Sequence, residues 1–189
     1  QLINRLLDEN RLLATNNAQL EEHNLVDRLT AIGNRRYLIQ RLADVLRNVD
    51  SRGGACCLVL LGVQNLPTLT ERFGPAVQQE VLRGTARRLQ QLVRPTDVVA
   101  RVDENAFAIV TIADEAADLK PASFRRLHDG LNLKAFKTSE GYLSIRAGMV
   151  LCTLTNRQAL PDAEALLEQV ESHLGEAYET NLITEAKLG

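Results

Sequence analysis

The stretch RPTDVVARVDENAFAIV, residues 94–110, decides the fold. Two runs rich in β-branched and aromatic residues flank its middle, and such runs are typical of β-strands. Between them lie Asp103, Glu104 and Asn105. These residues favour a turn, because Asp and Asn side chains bond to nearby backbone and Asn tolerates a positive φ. The stretch therefore predicts a β-hairpin within a sheet, with a polar and acidic tip.

Length and composition limit the classes of protein to which the chain can belong. Its 189 residues, 45% of them hydrophobic, suit one α/β domain with an appendage. A net charge of −2 offers no strongly basic face for a nucleic acid polymer. Cys56, Cys57 and Cys152 are expected to be reduced and buried. No apolar run approaches the roughly 20 residues of a spanning helix, so we expect a cytoplasmic domain, or the cytosolic part of a membrane-tethered protein, without direct membrane insertion.

Residues 1–27 contain no Gly or Pro and carry a seven-residue repeat. Leu at d with mostly Asn at a is typical of a two-stranded coiled coil, in which Asn fixes the register but lowers stability. The repeat predicts a parallel homodimer through a helix of residues 1–27, and a lone amphipathic helix packed on its own domain is the alternative. The predicted dimerisation positions are Ile3, Leu6, Asn10, Leu13, Asn17, Leu20 and Asn24.

The remaining residues, 28–189, alternate predicted strands and helices. Gly33 ends the first helix, and Asn34 is positioned to cap the second helix, which is predicted to run to about Val49. Independently of any family, the alternation of strands and helices predicts an α/β sandwich. The further predicted elements are a strand at 55–63, helices at 75–93 and 114–130, a hairpin of 133–138 with 142–153, and a final helix at 163–175.

The hairpin stretch resembles the signature of the GGDEF family, the diguanylate cyclases that condense two GTP molecules into cyclic di-GMP. The family pattern R-x-x-D-x-x-A-R-x-G-G-D-E-F is matched in register by Arg94, Asp97, Ala100, Arg101 and Phe107. Residues 27–36, DRLTAIGNRR, resemble the family's opening D-x-L-T-G-L-x-N-R-R. The resemblance covers residues 27–181. It implies a nucleotidyl-cyclase-like α/β fold, with a central, mostly antiparallel sheet flanked by helices.

The positions to which the resemblance assigns the family's chemistry carry other residues in this chain. At the signature, Asp103-Glu104 replaces the two glycines and Asn105-Ala106 replaces the Asp-Glu pair. The family's metal-binding D-x-D corresponds to Gly62 and Gln64. Divalent metals need hard oxygen ligands such as carboxylates. The resemblance therefore implies that residues 28–189 are a degenerate GGDEF domain without metal, cofactor or cyclase activity.

Other family positions have changed as well. The guanine-reading Asn corresponds to Thr70 and its Asp partner to Gln79, so GTP recognition is not expected. An unpaired buried donor costs ~1–3 kcal/mol, which makes such pairs decisive for base recognition. The tyrosine and lysine of the family's closing A-D-x-A-L-Y-x-A-K correspond to Gly175 and Tyr178.

These observations favour a catalytically inactive, dimeric signalling module that passes a conformational change from an upstream sensor to a downstream output domain. Arg94 and Asp97 retain the R-x-x-D that binds cyclic di-GMP in many family members, so a cyclic di-GMP receptor is an alternative, as is a purely structural role for both residues. Residual cyclase activity through Asp103 and Glu104 is disfavoured, because neighbours on a strand point to opposite faces. We expect a structural role for Arg101.

Overall fold

The structure is a computed structural model that describes residues 24–188. Those residues form a five-stranded sheet with helices on both faces and a separate two-stranded sheet. The helices are α1 (Arg35–Arg52), α2 (Leu66–Phe73), α3 (Pro75–Leu92), α4 (Arg125–Asn132), α5 (Ala163–Glu171) and α6 (Leu174–Thr180). The strands are β1 (Ala55–Val63), β2 (Val98–Asp103), β3 (Ala106–Ala113), β4 (Phe136–Thr138), β5 (Gly141–Leu143), β6 (Ala147–Thr155) and β7 (Ile183–Glu185).

The large sheet has the strand order β2-β3-β1-β6-β7. Its pairs are antiparallel except for the parallel pair of β6 and β7, which confirms the predicted mostly antiparallel sheet. Strand β1 lies at the centre and is buried along its whole length. Its alternating side chains enter two cores, because successive strand residues point to opposite faces. One core is shared with α2, α3 and α4, and the other with α1 and α5.

The signature hairpin forms as predicted, with Glu104 and Asn105 as the turn between β2 and β3. The predicted helix cap is also confirmed, since the Asn34 side chain accepts a hydrogen bond from the Tyr37 amide at 3.0 Å. Helix α1 runs three residues past the predicted end at Val49 and stops at Gly53, whose φ of 84° suits glycine.

Three predicted elements are corrected. The helix predicted at 114–130 is two 3₁₀ turns followed by α4, because Pro121 cannot continue a helix. The strand predicted at 142–153 is split into β5 and β6, since the Arg146 amide donates to the Asn65 side chain rather than to a ladder. The helix predicted at 163–175 is α5 and α6, which are interrupted at 172–173.

The predicted coiled coil lies mostly outside the described residues, which begin at Asn24. Residues 24–27 are described and are not helical, so the predicted helix end at 27 is wrong and Asn24 is not a helical dimerisation position. The physical reason is local pairing: Val26 forms a β-bridge with Gly33, and its amide donates to the Asn24 side chain at 3.0 Å. We call residues 24–34 the N-terminal loop.

The three cysteines are buried, as predicted, and they are not in disulfides. Burial raises the pKa of the Cys56 and Cys57 thiols to about 12 and that of Cys152 to about 11. Across residues 24–188, no helix combines the length and apolar character needed to cross a membrane.

Candidate functional site

The changed signature positions meet at the end of β1. Gly62 pairs with Ala106 of β3 on one side and with Gly148 of β6 on the other. The Asn105 carbonyl accepts from the Val63 amide at 2.8 Å, and the Asn105 side chain donates to the Val63 carbonyl at 3.1 Å. Asn105 therefore fastens the hairpin tip to the end of β1, and its amide is already engaged within the protein.

The space above Gly62 is filled by the Tyr178 side chain from α6. A Cβ atom at position 62 would overlap the Tyr178 hydroxyl and would lie 2.8 Å from Leu174 Cδ2. A Cβ atom at Gly148 would lie 2.6 Å from Tyr178 Cδ1. The ring therefore fits only because both strand positions lack a side chain, and a carboxylate at position 62 is incompatible with Tyr178 in this place.

The Tyr178 hydroxyl is buried and lacks a well-formed hydrogen bond. Burial raises the pKa of Tyr178, the nearby Asn105 side chain opposes that shift, and the charge of Asp103 adds to it. The hydroxyl is therefore neutral around pH 7 and brings no charge to the end of β1, where metal chemistry would need a negative one.

The loop after β1 is closed by contacts with the segment before β6. The Gln64 amide donates to the Arg146 carbonyl at 2.8 Å. The Asn65 side chain accepts from the Arg146 amide at 2.8 Å and donates to the Ser144 carbonyl at 3.1 Å. Pro67, in the first turn of α2, has no amide hydrogen. Pro67 therefore contributes no amide donor to this helix start.

The two acidic residues at the tip have separate partners. The Asp103 carboxylate accepts from the Glu104 amide at 2.8 Å, whereas the Glu104 carboxylate lies 3.4 Å from the Gln78 side-chain nitrogen. Within the described part of the chain, no group of three or more His, Cys, Asp or Glu side chains is placed to hold a metal. The described residues at this end of the sheet therefore do not fit the divalent metals that the family binds at its D-x-D positions.

Arg94 and Asp97 lie at the opposite end of the sheet, just before β2. The Arg94 guanidinium donates to Thr111 Oγ1 at 2.6 Å and to the Ile112 carbonyl at 2.9 Å. The Arg94 amide donates to Asp97 Oδ2 at 2.9 Å. The structure thus brings the two predicted residues together and gives Arg94 structural contacts at the end of β3.

A cleft of about 870 Å³ opens beside Arg94 and Asp97. Arg52 and Arg126 also line it, as do Asp114 and Asp118, so its lining carries charges of both signs. The Asp97 side chain is only 8% exposed, and its Oδ1 has no hydrogen-bond partner, although Arg94 Nη2 lies 3.6 Å away. The cleft combines arginines that could bind an anion with a buried acceptor that lacks a donor.

Comparison with known proteins identifies the family. The family described as "Diguanylate cyclase, GGDEF domain" matches residues 24–181. The chain belongs to the GGDEF family. Its sequence is 25% identical to "Probable diguanylate cyclase DgcC" of Escherichia coli over 138 residues, which are 72% of this chain and 37% of that relative. The chain therefore spans little more than a third of this relative's length.

Solved GGDEF structures share the fold. The GGDEF domain of TpbB from Pseudomonas aeruginosa superposes with a TM-score of 0.74 at 21% identity, covering 87% of this chain and 94% of that one. The coiled coil and GGDEF domain of DgcB from Caulobacter crescentus, in complex with c-di-GMP, gives 0.74 at 17% identity, covering 99% of both chains. These matches confirm the predicted α/β fold.

Sequence reasoning missed what Tyr178 does in this GGDEF domain. The sequence places Tyr178 where the family has lysine and Gly62 where it has aspartate, but it does not show that the two positions touch. The signal available in the sequence is that both positions differ from the family: lysine is replaced by Tyr178, and aspartate is replaced by Gly62. Arg101 has the expected structural role, because it pairs with Asp27 at 3.3 Å and donates to the Glu104 carbonyl.

Proposed function

We propose that this GGDEF domain does not synthesise cyclic di-GMP and acts as a regulatory module in cyclic di-GMP signalling. The observation that carries the proposal is the Tyr178 side chain above Gly62, which fills the place of a metal-binding carboxylate. In this proposal the domain works in the cytoplasm, alone or as the cytosolic part of a membrane-tethered parent protein.

Charge supports the proposal as well as volume. Gly62, Gln64 and Asn105 are all neutral, so the positions that would face two divalent cations and a triphosphate supply no compensating charge. Two cations near each other are held in proteins by several carboxylate oxygens. The relative DgcC carries the name of a cyclase, so the proposed loss of activity rests on residues of this chain and not on its family.

Isothermal titration with GTP, with and without Mg²⁺, tests the proposal. We expect no binding of GTP that depends on Mg²⁺, because residues 24–188 place no set of metal-binding carboxylates at the end of β1. Micromolar GTP binding that requires Mg²⁺ and is lost in Asp103→Asn or Glu104→Gln would contradict it. Circular dichroism of each variant shows whether the fold is retained.

We further propose that the domain works as a homodimer through the coiled coil of residues 1–23 and relays a signal between an upstream sensor and a downstream output domain. The heptad repeat supports this, as does the likeness to the coiled coil and GGDEF domain of DgcB. Sedimentation analysis is expected to give a dimer that the double variant Leu6→Glu/Leu13→Glu converts to a monomer. A monomeric unmodified chain would contradict the proposal.

A cyclic di-GMP receptor is the second candidate function, and the cleft beside Arg94 favours it. The buried Asp97 Oδ1 lacks a donor, and a guanine edge offers donors of this kind. The solved DgcB structure contains c-di-GMP. Titration with cyclic di-GMP is expected to show binding that Arg94→Ala and Asp97→Asn abolish and that the exposed control Arg87→Ala retains. Equal binding by all four proteins would rule out this site.

A further inference from the structure

The N-terminal loop, residues 24–34, contains a strained residue. Ala31 has a φ of 63°, a left-handed conformation that residues with a side chain rarely adopt. Two backbone hydrogen bonds hold it there: the Ala31 amide donates to the Asp27 carbonyl, and the Asp27 amide donates to the Ile32 carbonyl, both at 2.8 Å. Ile32 is buried in the core and anchors the loop. The closed loop therefore contains strain that opening would release.

Asp27 holds the loop closed through its side chain. Its carboxylate accepts from the Thr30 amide at 3.0 Å and from the Thr30 hydroxyl at 2.6 Å. It also pairs with Arg101 of β2 at 3.3 Å, with side-chain exposures of 19% for Asp27 and 15% for Arg101. Because both side chains are largely shielded from water, losing one partner leaves the other charge poorly solvated.

Arg101 extends these contacts to the hairpin tip. Its backbone amide donates to the Gly33 carbonyl, and its guanidinium donates to the Glu104 carbonyl, both at 2.8 Å. The neighbouring Asn105 is bonded to Val63 at the end of β1. One side chain therefore contacts the loop and the tip at once.

We propose that the N-terminal loop and the hairpin tip open together as one unit, with the Asp27–Arg101 pair as the link and the strain at Ala31 lowering the cost of opening. A displacement of the chain before residue 24 would then reach the tip, where the family has its signature residues. This inference goes beyond the proposed loss of catalysis and does not depend on it.

Hydrogen exchange of the full chain tests the coupling. The amides of Asp27 and Asn34 report on the loop, those of Val63 and Glu104 on the tip, and that of Leu166 in α5 on the rest of the domain. Ala31→Gly, which removes the strain, is expected to slow exchange about threefold at loop and tip alike while leaving Leu166 unchanged. Asp27→Asn is expected to speed exchange at both places. The exposed loop variant Ala159→Gly is the matched control and is expected to change neither.

Three results would overturn the proposal. If Ala31→Gly slows exchange in the loop but not at the tip, the two parts open independently. If it leaves loop exchange unchanged, Ala31 does not limit opening. If Leu166 changes by the same factor, exchange occurs through unfolding of the whole domain. Because Ala31→Gly relieves strain, this arm of the experiment does not depend on whether Asp27→Asn folds.

Discussion

Gly62 and Tyr178 are complementary in volume, and this pair explains the candidate site at the scale of single residues. Glycine at 62 and at 148 leaves the space that the ring occupies, and the ring prevents a side chain from returning to position 62. The space above Gly62 is therefore filled by packing, and position 62 itself carries no carboxylate. Restoring one carboxylate alone would oppose the packing around it.

Gly62→Asp is therefore expected to destabilise the domain by about 3 kcal/mol, because it both overpacks the sheet end and buries a charge. Tyr178→Ala is expected to cost a similar amount through its cavity. In the double variant the space left by the Tyr178 ring accommodates the new side chain at position 62. Its loss of unfolding free energy should therefore be at least ~1 kcal/mol smaller than the sum of the losses in the two single variants. Urea denaturation gives the free energy of unfolding for the unmodified chain, the two single variants and the double variant.

The exposed Gly175 on the same helix provides the control for this cycle. No atom lies within 4 Å of a Cβ built at this position, so Gly175→Ala should be neutral or stabilise α6 by up to about 1 kcal/mol. Additive losses for Gly62→Asp and Tyr178→Ala would mean that Tyr178 does not fill the space above Gly62.

The buried thiols predict how stability depends on pH. Burial raises the pKa of the Cys56 and Cys57 thiols from 9.0 to about 12. It raises the pKa of the Cys152 thiol from 9.0 to about 11. The thiols therefore stay protonated to a higher pH in the folded state than in the unfolded state. The contribution of each thiol to stability is fully present below pH 9 and decreases above it, by up to about 1.4 kcal/mol per pH unit.

Cys57→Ala tests this pH dependence. Urea denaturation between pH 7 and 10, under reducing conditions, is expected to show a shallower decline above pH 9 for this variant than for the unmodified chain. The slope of the decline should decrease by at most about one third, since Cys57 is one of three buried thiols and Tyr178 also has a raised pKa. An unchanged slope would show that the Cys57 thiol does not contribute to the decline.

At the scale of elements, the two-stranded sheet of β4 and β5 depends on α3. Isolated two-stranded sheets are marginally stable in water. The Arg88 guanidinium lies 3.5 Å from the centre of the Phe136 ring and donates to the carbonyls of Gly130, Lys134 and Ala135. Burial lowers the pKa of Arg88 somewhat. These contacts fasten β4 to the domain.

Arg88→Ala is therefore expected to cost about 2 kcal/mol and to speed amide exchange in 136–143 more than elsewhere. Its neighbour Arg87 is exposed, so Arg87→Ala is the matched control and should change stability by less than about 0.5 kcal/mol. Uniform acceleration across the domain would show that Arg88 stabilises the whole fold and not this sheet.

Elements with a strong local pattern were predictable from the sequence, and those that depend on tertiary contacts were not. The buried run of β1, the amphipathic α3 and the hairpin of β2 and β3 formed nearly as predicted. The break between β5 and β6 depends on Asn65, which is distant in sequence. The loop at Val26 depends on pairing with Gly33, which no helical repeat reveals.

At the scale of the whole molecule, the GGDEF fold is retained, and the two ends of its large sheet differ. The tip end is sealed by Tyr178, Asn105 and Asn65, whereas the other end keeps an open cleft beside Arg94 and Asp97. The residues that fail the family pattern were visible in the sequence. That the Tyr178 ring occupies the space above Gly62 was visible only in the structure, because α6 and β1 are more than 100 residues apart.

Incubation of the purified chain with GTP and Mg²⁺, or Mn²⁺, followed by mass spectrometry for cyclic di-GMP, tests whether this GGDEF domain lacks cyclase activity. No product is expected above the level of a heat-denatured sample, even after many hours and at high protein concentration. Cyclic di-GMP that accumulates with time and in proportion to the protein would contradict the proposed loss of activity.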